Sequence, residues 1–392
     1  MTEPRETRAD EREVLLFVID AGGGHRAAAN ALMAAAERTQ RPWRFRPVNL
    51  QELLDAFDFT RRLTGRSMEE SYNVLLRRHW TSIMEPLLRV LHGLIAVLHR
   101  PLARSLSHAL AGPRPAAAVS VLPNFNSVIR DALRAAHPGV PLLILLTDLA
   151  DFPPHFWIEP GASRVLVGSD RAMGQALARG LPPERVSRLS GMVLHPRFYP
   201  PAGPDARARV RAELGIPSSA FVVLLLFGGK GSPEMSALSA SLLQESPERR
   251  VIAICGDNPD LFAQLGEVEA RSAGRLHRVG FTDRVAEHLA ACDLLVTKPG
   301  PGSLSEAFHQ GVPVVVVRNR HTIPQERFNT AFVRERELGV VVHHWREIPA
   351  AVAALARDPD RRARLRANVA ALPGNRAVFE ALDIIEKDAG LV

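Results

Sequence analysis

The stretch FVVLLLFGGKG at residues 221–231 decides the fold class. A run of seven apolar residues there ends in a glycine loop. The same order occurs near the start of the chain, where VLLFVI at residues 14–19 precedes AGGGH at residues 21–25 and an alanine-rich segment. Short apolar runs that alternate with helix-like segments predict parallel strands in βαβ units.

Further apolar runs predict more strands in both halves of the chain. They lie at residues 117–122, 142–147, 164–168, 251–255, 294–297 and 314–317. The predicted fold is α/β, with two doubly wound Rossmann-like domains that face a cleft. We expect an N-terminal domain at residues 1–198, a proline-rich linker at 199–217, a C-terminal domain at 218–374 and a final helix at 375–392. Ligands of such sheets bind at the carboxyl ends of the strands.

The composition is that of a folded protein in a reducing compartment. The chain has 392 residues, of which 46% are apolar and 23% charged. Its two cysteines, Cys255 and Cys292, cannot build a disulfide framework or a four-thiolate zinc site. No apolar run is long enough to span a membrane, and the charged N-terminus does not resemble a signal peptide. We therefore expect a cytoplasmic protein.

Positive charge is concentrated in the first half, since residues 1–200 carry 25 basic and 19 acidic residues. Within it, residues 57–110 read as helical and contain the sequence MEPLLRVLHGLIAVLHRPLA. This pattern is typical of an amphipathic helix lying on an anionic membrane surface, and also of a helix in the core of the first domain. Nucleic acid is not an expected partner, because basic and aromatic residues do not interleave. At most weak self-association is expected, so no oligomer is predicted.

Three glycine-rich loops follow apolar strands, at residues 21–25, 228–232 and 297–303. Backbone amides in such loops, and the positive end of the next helix, can bind an anion. The spacing matches neither a Walker A loop nor the G-x-G-x-x-G of nicotinamide dehydrogenases. Because two of the loops carry a lysine, Lys230 and Lys298, a nucleoside diphosphate is favoured over simple tight turns.

Polar residues at predicted strand ends suggest catalytic and binding roles. His25 can serve as a general base oriented by Asp20, or as a helix cap. Asp148 ends another strand, and His155 and Trp157 follow it, either in the ligand site or in an ordinary loop. No metal-ligand spacing occurs, so no metal or other cofactor is predicted.

Several motifs together resemble a known family. They are GGGHRAAANAL at residues 22–32, CGDN at 255–258, GFTDRVAEHLAACDLLV at 280–296, TKPGPGSLSEAFHQGVPVVV at 297–316 and PQERFN at 324–329. With them the chain resembles the inverting GT-B glycosyltransferases of family 28 type, which include monogalactosyldiacylglycerol synthases and processive diacylglycerol glucosyltransferases. The resemblance implies a UDP-sugar donor, a lipid acceptor and peripheral attachment to the cytoplasmic face of an anionic membrane.

The resemblance also implies roles for individual residues. His25 is the expected catalytic base, with Asp20 beside it. Acceptor contacts are expected from Gly23, Gly24, Asp148, His155 and Trp157. Uracil is expected near Gly280 and Phe281, the diphosphate at Pro301, Gly302 and Ser303, the ribose at Glu306, and the sugar hydroxyls at Gln325, Glu326 and Asn329. The remaining donor residues are Gly228, Gly229, Lys230, Cys255, Gly256, Asn258 and Lys298.

Departures from the family pattern leave the sugar and the acceptor open. The usual Gly-Ile-Pro turn reads Gly191-Met192-Val193, and the usual Thr-His-Pro element reads Leu122-Pro123-Asn124. The sequence favours transfer of a hexose to diacylglycerol, which gives a glycosyldiacylglycerol. The alternatives are a UDP-GlcNAc-dependent transferase that acts on a lipid-linked precursor, a UDP-sugar 2-epimerase, and a UDP-sugar-binding module without catalysis.

Overall fold

The structure is a computed structural model that describes residues 12–19, 23–54, 84–152, 156–320 and 322–391. The chain divides into two compact units. One comprises Met1–Pro196 together with Arg376–Val392, and the other comprises Arg197–Asn375. Each unit contains one six-stranded parallel sheet, which confirms the predicted doubly wound α/β architecture.

The first unit is built on a sheet with the strand order β2-β1-β3-β4-β5-β6. Its strands are β1 (Arg12–Val18), β2 (Trp43–Asn49), β3 (Ala117–Ser120), β4 (Leu142–Leu145), β5 (Arg164–Val167) and β6 (Val186–Arg188). Its helices are α1 (Gly23–Arg38), α2 (Leu50–Leu54), α3 (Met84–Val97), α4 (His99–Ala109), α5 (Asn126–Ala136) and α6 (Asp170–Ala178). The central strands are buried on both faces, which explains their continuous apolar sequence.

The order β1-β3-β4 positions the candidate site of this unit. Three loops leave the carboxyl ends of these neighbouring strands and therefore meet at one edge of the sheet. The loop after β1 leads to His25, the loop after β3 carries Asn124, and the loop after β4 carries Thr147 and Asp148.

The second unit has the strand order β12-β11-β10-β7-β8-β9. Its strands are β7 (Val222–Leu226), β8 (Arg250–Ile254), β9 (Leu276–Val279), β10 (Leu294–Thr297), β11 (Val314–Val317) and β12 (Gly339–Val342). Its helices are α7 (Pro204–Glu213), α8 (Met235–Gln244), α9 (Pro259–Ala270), α10 (Val285–Ala291), α11 (Pro301–His309), α12 (Pro324–Glu335), α13 (Ile348–Arg357) and α14 (Pro359–Ala370).

Residues 199–217, assigned to a linker from the sequence, lie in the second unit. There α7 is held by two arginines, because Arg207 and Arg211 both pair with Asp293, at 2.7 and 3.0 Å. The last helix, α15 (Ala377–Asp388), instead belongs to the first unit. It is held there by Arg164, which donates to Asp388 at 2.9 Å, and by apolar side chains that are fully buried.

The helical segment at residues 57–110 lies partly outside the described residues, since only α3 and α4 of it are described. One face of α3 packs in the core of the first unit through Leu88 and Ile95. The opposite face is exposed and apolar, and its residues are Leu87, Val90, Leu94 and Val97. Within the described ranges, no helix is long and apolar enough to cross a membrane.

Candidate active site

The first unit holds His25 in the first turn of α1. Its Nδ1 atom lies 3.0 Å from the carbonyl oxygen of Val121, just after β3, and 3.1 Å from Oγ1 of Thr147, just after β4. A carbonyl oxygen can only accept a hydrogen bond, so Nδ1 must carry the proton. In the neutral ring, Nε2 therefore has a free lone pair and can accept a proton.

The charge state of His25 agrees with that tautomer. Burial lowers the pKa of His25 to about 4, and the hydrogen bond to Val121 only partly opposes this shift. The imidazole is therefore neutral at physiological pH. A neutral histidine with Nε2 unprotonated is the state that a general base needs before it reacts.

Trp157 forms one wall beside His25, with the two ring centroids 5.6 Å apart. The indole nitrogen of Trp157 donates to Oδ2 of Asp148 at 3.0 Å. The backbone amides of Phe156 and Trp157 both donate to Oδ1 of the buried Asp151, at 2.9 and 3.0 Å. Asp148 and Trp157, both predicted acceptor-side residues, are thus brought together with His25.

The turn after β3 is tied to the same segment. The backbone amide of Asn124 donates to the carbonyl oxygen of Phe156 at 2.6 Å. The amide side chain of the buried Asn126 donates to the carbonyl oxygens of Leu122 and Trp157, at 3.1 and 2.9 Å. These bonds fix the loops after β3 and β4 against each other.

The other predicted acceptor-side residues are described less fully. Gly23 and Gly24 begin α1, and a side chain at Gly24 would meet no atom within 4 Å. Asp20 and His155 lie outside the described residues, so their roles stay predictions.

In the second unit, the glycine-containing loops that follow β7 and β8 are in close contact with each other. Gly256 has a positive φ of 63°, and a Cβ atom there would lie 2.1 Å from the carbonyl oxygen of Gly229. Asn258 donates from its side chain to the carbonyl oxygen of Lys230 at 2.9 Å and caps α9 with its side-chain oxygen. Only glycine at position 256 allows this close approach.

Cys255 and Phe281, two further predicted donor residues, differ in their exposure to solvent. The side chain of Cys255 is fully buried, and its Sγ donates to the carbonyl oxygen of Val279 at 3.1 Å. Its thiol therefore supports the sheet and does not face solvent. Gly280 and Phe281 directly follow β9, and the Phe281 ring is 80% exposed. An exposed aromatic ring of this kind is available to stack on a planar base.

The third glycine loop leads directly into α11. Pro301 and Gly302 occupy its first two positions, with Ser303 next, and no side chain caps its N-terminus. A side chain at Gly302 would meet nothing within 4 Å, and the first backbone amides of a helix have no acceptor within the helix, so they are available to an anion. Further along α11, burial raises the pKa of the half-buried Glu306 to about 7, and Arg197 partly opposes this.

The side chains around Lys298 complete the predicted donor set. Lys298 is exposed, lies over Gly228 and has its Nζ 3.8 Å from Oε1 of Glu326. Burial raises the pKa of Glu326, and Lys298 lowers it in part. Asn329 is fully buried and donates to the carbonyl oxygen of Pro299 at 2.7 Å.

Two of these residues have unused hydrogen-bonding capacity. Oε1 of Gln325 and Oδ1 of Asn329 are buried and have no partner among the described residues. Buried polar atoms without partners are costly and commonly mark a position where a ligand or water is bound. The second unit thus brings Lys298, Gln325, Glu326 and Asn329 together beside the start of α11.

Sequence reasoning missed the two partners of the His25 ring, Val121 and Thr147. Thr147 could have been found, because it directly precedes Asp148 at a predicted strand end. Val121 could not, because it acts through its backbone. Among the described residues, no group of three or more His, Cys, Asp or Glu side chains could hold a metal ion.

Comparison with known families identifies the second unit. Residues 223–370 match the model described as the glycosyltransferase family 28 C-terminal domain. This range includes β8 to β12, all of β7 except Val222, and every predicted donor residue.

The whole chain also has named relatives. It is 28% identical to a probable monogalactosyldiacylglycerol synthase 2 of Oryza sativa subsp. indica, over 98% of this chain and 82% of the relative. It is 27% identical to the processive diacylglycerol beta-glucosyltransferase of Bacillus subtilis, over 56% of each chain. These findings confirm the resemblance that the motifs indicate.

Solved structures support the fold. The HepE protein of Anabaena in complex with UDP-glucose is similar with a TM-score of 0.53 and 16% identity, over 97% of this chain and all of that one. A UDP-GlcNAc 2-epimerase of Neisseria meningitidis is similar with a TM-score of 0.59 and 12% identity, over 96% of this chain and all of that one. At these identities the likeness concerns the fold alone.

The prediction of a UDP-sugar-dependent glycosyltransferase is therefore confirmed at the level of enzyme class. The chain is a glycosyltransferase of the GT-B fold; its residues 223–370 match the family 28 C-terminal domain model, and it resembles the monogalactosyldiacylglycerol synthases.

Proposed function

We propose that this protein is an inverting glycosyltransferase that moves a hexose from a UDP-sugar to the hydroxyl of diacylglycerol, which gives a glycosyldiacylglycerol. The observation that carries the proposal is the hydrogen bond between His25 and Val121, which leaves Nε2 of a neutral imidazole free. The named relatives that act on diacylglycerol support the choice of acceptor.

On the acceptor side, His25 acts as the general base. Nε2 takes the proton of the lipid hydroxyl while that oxygen attacks the anomeric carbon of the sugar. The attack comes from the face opposite UDP, so one displacement forms the new glycosidic bond, breaks the bond to UDP and inverts the anomeric centre. Trp157 and Asp148 hold the wall beside the ring and limit the positions that an acceptor can take.

On the donor side, the departing diphosphate lies at the N-terminus of α11. The backbone amides of Gly302 and Ser303 and the ammonium group of Lys298 face the negative charge that develops on UDP. In this proposal these groups stabilise the negative charge of the departing diphosphate without a bound metal. Gly228 and Gly256 allow the neighbouring loops to approach the nucleotide closely.

The rest of the UDP-sugar meets residues of the same unit. Glu306 accepts hydrogen bonds from the ribose hydroxyls, and Phe281 stacks on the uracil. Gln325, Glu326 and Asn329 bind the sugar hydroxyls, which would satisfy the unpartnered oxygens of Gln325 and Asn329.

We also propose that α3 attaches the protein to an anionic membrane surface on the cytoplasmic side. Its exposed apolar residues recur at helical spacing, and Arg89, Arg100 and Arg104 on α3 and α4 are exposed. Apolar side chains enter the headgroup region while arginines pair with lipid phosphates. Attachment of this kind brings the enzyme to an acceptor that is confined to the bilayer.

The experiment that tests this function is sugar transfer into lipid. Purified protein is mixed with anionic liposomes that contain diacylglycerol and, separately, with labelled UDP-glucose, UDP-galactose, UDP-glucuronate or UDP-GlcNAc. We expect label from one donor in the organic phase. Conversion of UDP-GlcNAc without any acceptor would instead identify a 2-epimerase. Binding of UDP without turnover of any donor would contradict catalysis, and label only with a polyprenyl-linked precursor would contradict diacylglycerol.

A further inference from the structure

We infer that Asn124 and His92 form the subsite that holds the polar glycerol part of the acceptor, and that Asn124 positions the reacting hydroxyl at His25. This inference rests on the proposed function and names the residues that would give it acceptor specificity. Neither residue is among the predicted contacts of the sequence analysis. Both are placed by contacts with one residue, Phe156.

The backbone at Asn124 has an unusual conformation. Its φ is +70°, in the left-handed region that residues other than glycine rarely adopt. Asparagine tolerates this region better than most residues, yet the conformation persists only where surrounding bonds impose it. Here the bond from its amide to the carbonyl oxygen of Phe156 imposes it. The turn is thus held in one conformation at the edge of the sheet where His25 lies.

One side-chain atom of Asn124 has no partner in the part of the chain that the structure describes. This atom is Oδ1, and it is buried. A carboxamide can both donate and accept, so it can bind a hydroxyl or an ester oxygen. Asn124 follows Val121 by three residues, and Val121 is the residue that fixes the His25 ring. A group bound by Asn124 therefore lies in the loop that also orients the base.

His92, whose ring packs against Phe156, provides the second polar atom of the proposed subsite. The two rings are stacked, with centroids 5.3 Å apart and planes at 4°. The Nδ1 atom of His92 is buried and has no partner among the described residues. His92 belongs to α3, whose other face exposes Val90 and Val97. The two unpartnered polar atoms thus belong to residues that contact Phe156, which directly precedes Trp157 beside the candidate base.

The order of these groups matches one chemical class of acceptor. A glyceride has apolar chains, then ester oxygens, then a free hydroxyl. In the proposed arrangement the chains lie along α3, His92 and Asn124 bind the ester and glycerol oxygens, and the hydroxyl donates its proton to Nε2 of His25. Asn124 only orients the hydroxyl and exchanges no proton, so the bonds formed and broken are those of the proposed displacement.

The substitution Asn124→Gly tests this role without disturbing the turn, since glycine adopts positive φ freely. Gln40→Gly is the matched control, because Gln40 in the same unit also has a positive φ, 50°, and is exposed. His92→Phe keeps the stacking on Phe156 and removes the ring nitrogens. Folding of each variant is checked by thermal unfolding.

Two measurements are made on the full chain. The first is the KM for diacylglycerol and for the UDP-sugar in the liposome assay. The second is binding of labelled dihexanoylglycerol by equilibrium dialysis, which does not require turnover. We expect Asn124→Gly and His92→Phe each to weaken acceptor binding by about 10-fold or more, with the donor KM unchanged, and Gln40→Gly to behave as the unaltered protein.

The two hypotheses fail in different ways. If the unaltered protein transfers sugar to lipid but both site variants keep its acceptor KM, the subsite is wrong and the proposed function stands. If it transfers no sugar but binds dihexanoylglycerol, and Asn124→Gly abolishes that binding, the subsite is supported and the proposed activity is wrong. If the unaltered protein does not bind dihexanoylglycerol at all, the subsite is overturned.

Discussion

The Nδ1 atom of His25 lies 3.0 Å from the carbonyl oxygen of Val121. This single contact joins α1, which follows β1, to the end of the neighbouring strand β3. It decides which ring nitrogen carries the proton, because a carbonyl oxygen cannot donate. The contact therefore selects the tautomer in which Nε2 can accept a proton. Thr147, at 3.1 Å from the same nitrogen, limits rotation of the ring from the side of β4.

Replacement of the base should abolish most transfer without affecting donor binding. We expect His25→Ala to lower the rate of sugar transfer by about 100- to 10,000-fold, the usual contribution of a general base. Affinity for UDP, measured by calorimetry, should not change, because every predicted donor residue lies in the second unit. A His25→Ala protein that transfers sugar at the original rate would disprove the assignment.

The same histidine predicts a pH profile. Because burial lowers the pKa of His25 to about 4, the imidazole stays neutral at all higher pH values. The contribution of His25 to kcat should thus be constant from about pH 5.5 to 8 and fall only as pH approaches 4. A limb of kcat near pH 6.5 that His25→Ala removes would show instead that the ring titrates as an exposed histidine does.

Binding of UDP should depend on pH through Glu306. Its pKa is raised to about 7 in the free protein, so the carboxyl group is partly protonated near neutrality. Ribose hydroxyls that donate to the carboxylate favour the ionised form, which lowers the pKa in the complex. UDP should therefore bind more tightly as pH rises from 5.5 to 8, by about 10-fold.

Calorimetric titration across this pH range measures the effect, and Glu306→Gln provides the comparison. The amide does not titrate, so the pH dependence should be smaller in this variant, and what remains comes from the terminal phosphate of UDP, whose second ionisation lies at about pH 6. UDP affinity that is equal at pH 5.5 and pH 8 in the unaltered protein would exclude Glu306 as an ionised ribose ligand.

The two glycines of the donor region should respond oppositely to alanine. At Gly256 a Cβ atom would lie 2.1 Å from the carbonyl oxygen of Gly229, so the loops must separate. We expect Gly256→Ala to reduce the free energy of unfolding by more than about 2 kcal/mol. At Gly302 a side chain meets nothing within 4 Å, so Gly302→Ala should unfold at the original temperature.

Although Gly302→Ala should not affect unfolding, it should impair binding of UDP. A methyl group at the N-terminus of α11 would stand where the diphosphate approaches the backbone amides, so Gly302→Ala should weaken UDP binding by about 10-fold or more. Thermal unfolding and UDP calorimetry on both variants measure these effects. Tight UDP binding by Gly302→Ala would place the diphosphate elsewhere.

The sequence predicted the central strands of both sheets and none of the edges. The strands that it missed, β2, β6, β9 and β12, occupy the four edges. Strand β2 reads WRFRPVN and buries only Trp43 and Val48, because an edge strand is covered less completely than a central one. The long apolar runs of β1 and β7 were recognisable because these strands are buried, whereas the short edge strand β12 was missed although it reads GVVV.

The candidate site was predictable where its chemistry is local. Glycine loops and the start of α11 follow from short motifs, since positive φ and free amides need particular residues in sequence. The environment of His25 was only partly predictable: Thr147 precedes Asp148 at a predicted strand end, but Val121 contacts the ring through its backbone. The sequence shows Asn124 only as part of a departure from the family pattern, whereas its positive φ and its contact with Phe156 are visible only in the structure.

For α3, the sequence left two interpretations open, a membrane-surface helix and a core helix. The structure places Leu88 and Ile95 in the core and leaves Val90 and Val97 67% and 80% exposed. A single helix can therefore have both roles, one on each face. Attachment to a membrane by the exposed face remains a prediction.

That prediction can be tested with a charge on the exposed face. The double substitution Val90→Glu and Val97→Glu should leave the unfolding temperature unchanged, because both side chains are exposed. It should weaken binding to anionic liposomes by about 10-fold or more, since two apolar groups are lost and two negative charges approach lipid phosphates. Co-sedimentation with liposomes measures this binding.

Ala96→Glu is the matched control, because Ala96 is exposed on the same helix but outside the apolar stripe. It should bind liposomes several-fold better than the double variant. Transfer to diacylglycerol in liposomes should fall with binding, whereas transfer to dihexanoylglycerol in solution should fall much less, since that acceptor needs no membrane and its chains are short. Equal sedimentation of the double variant and the unaltered protein would mean that another surface attaches the enzyme to the bilayer.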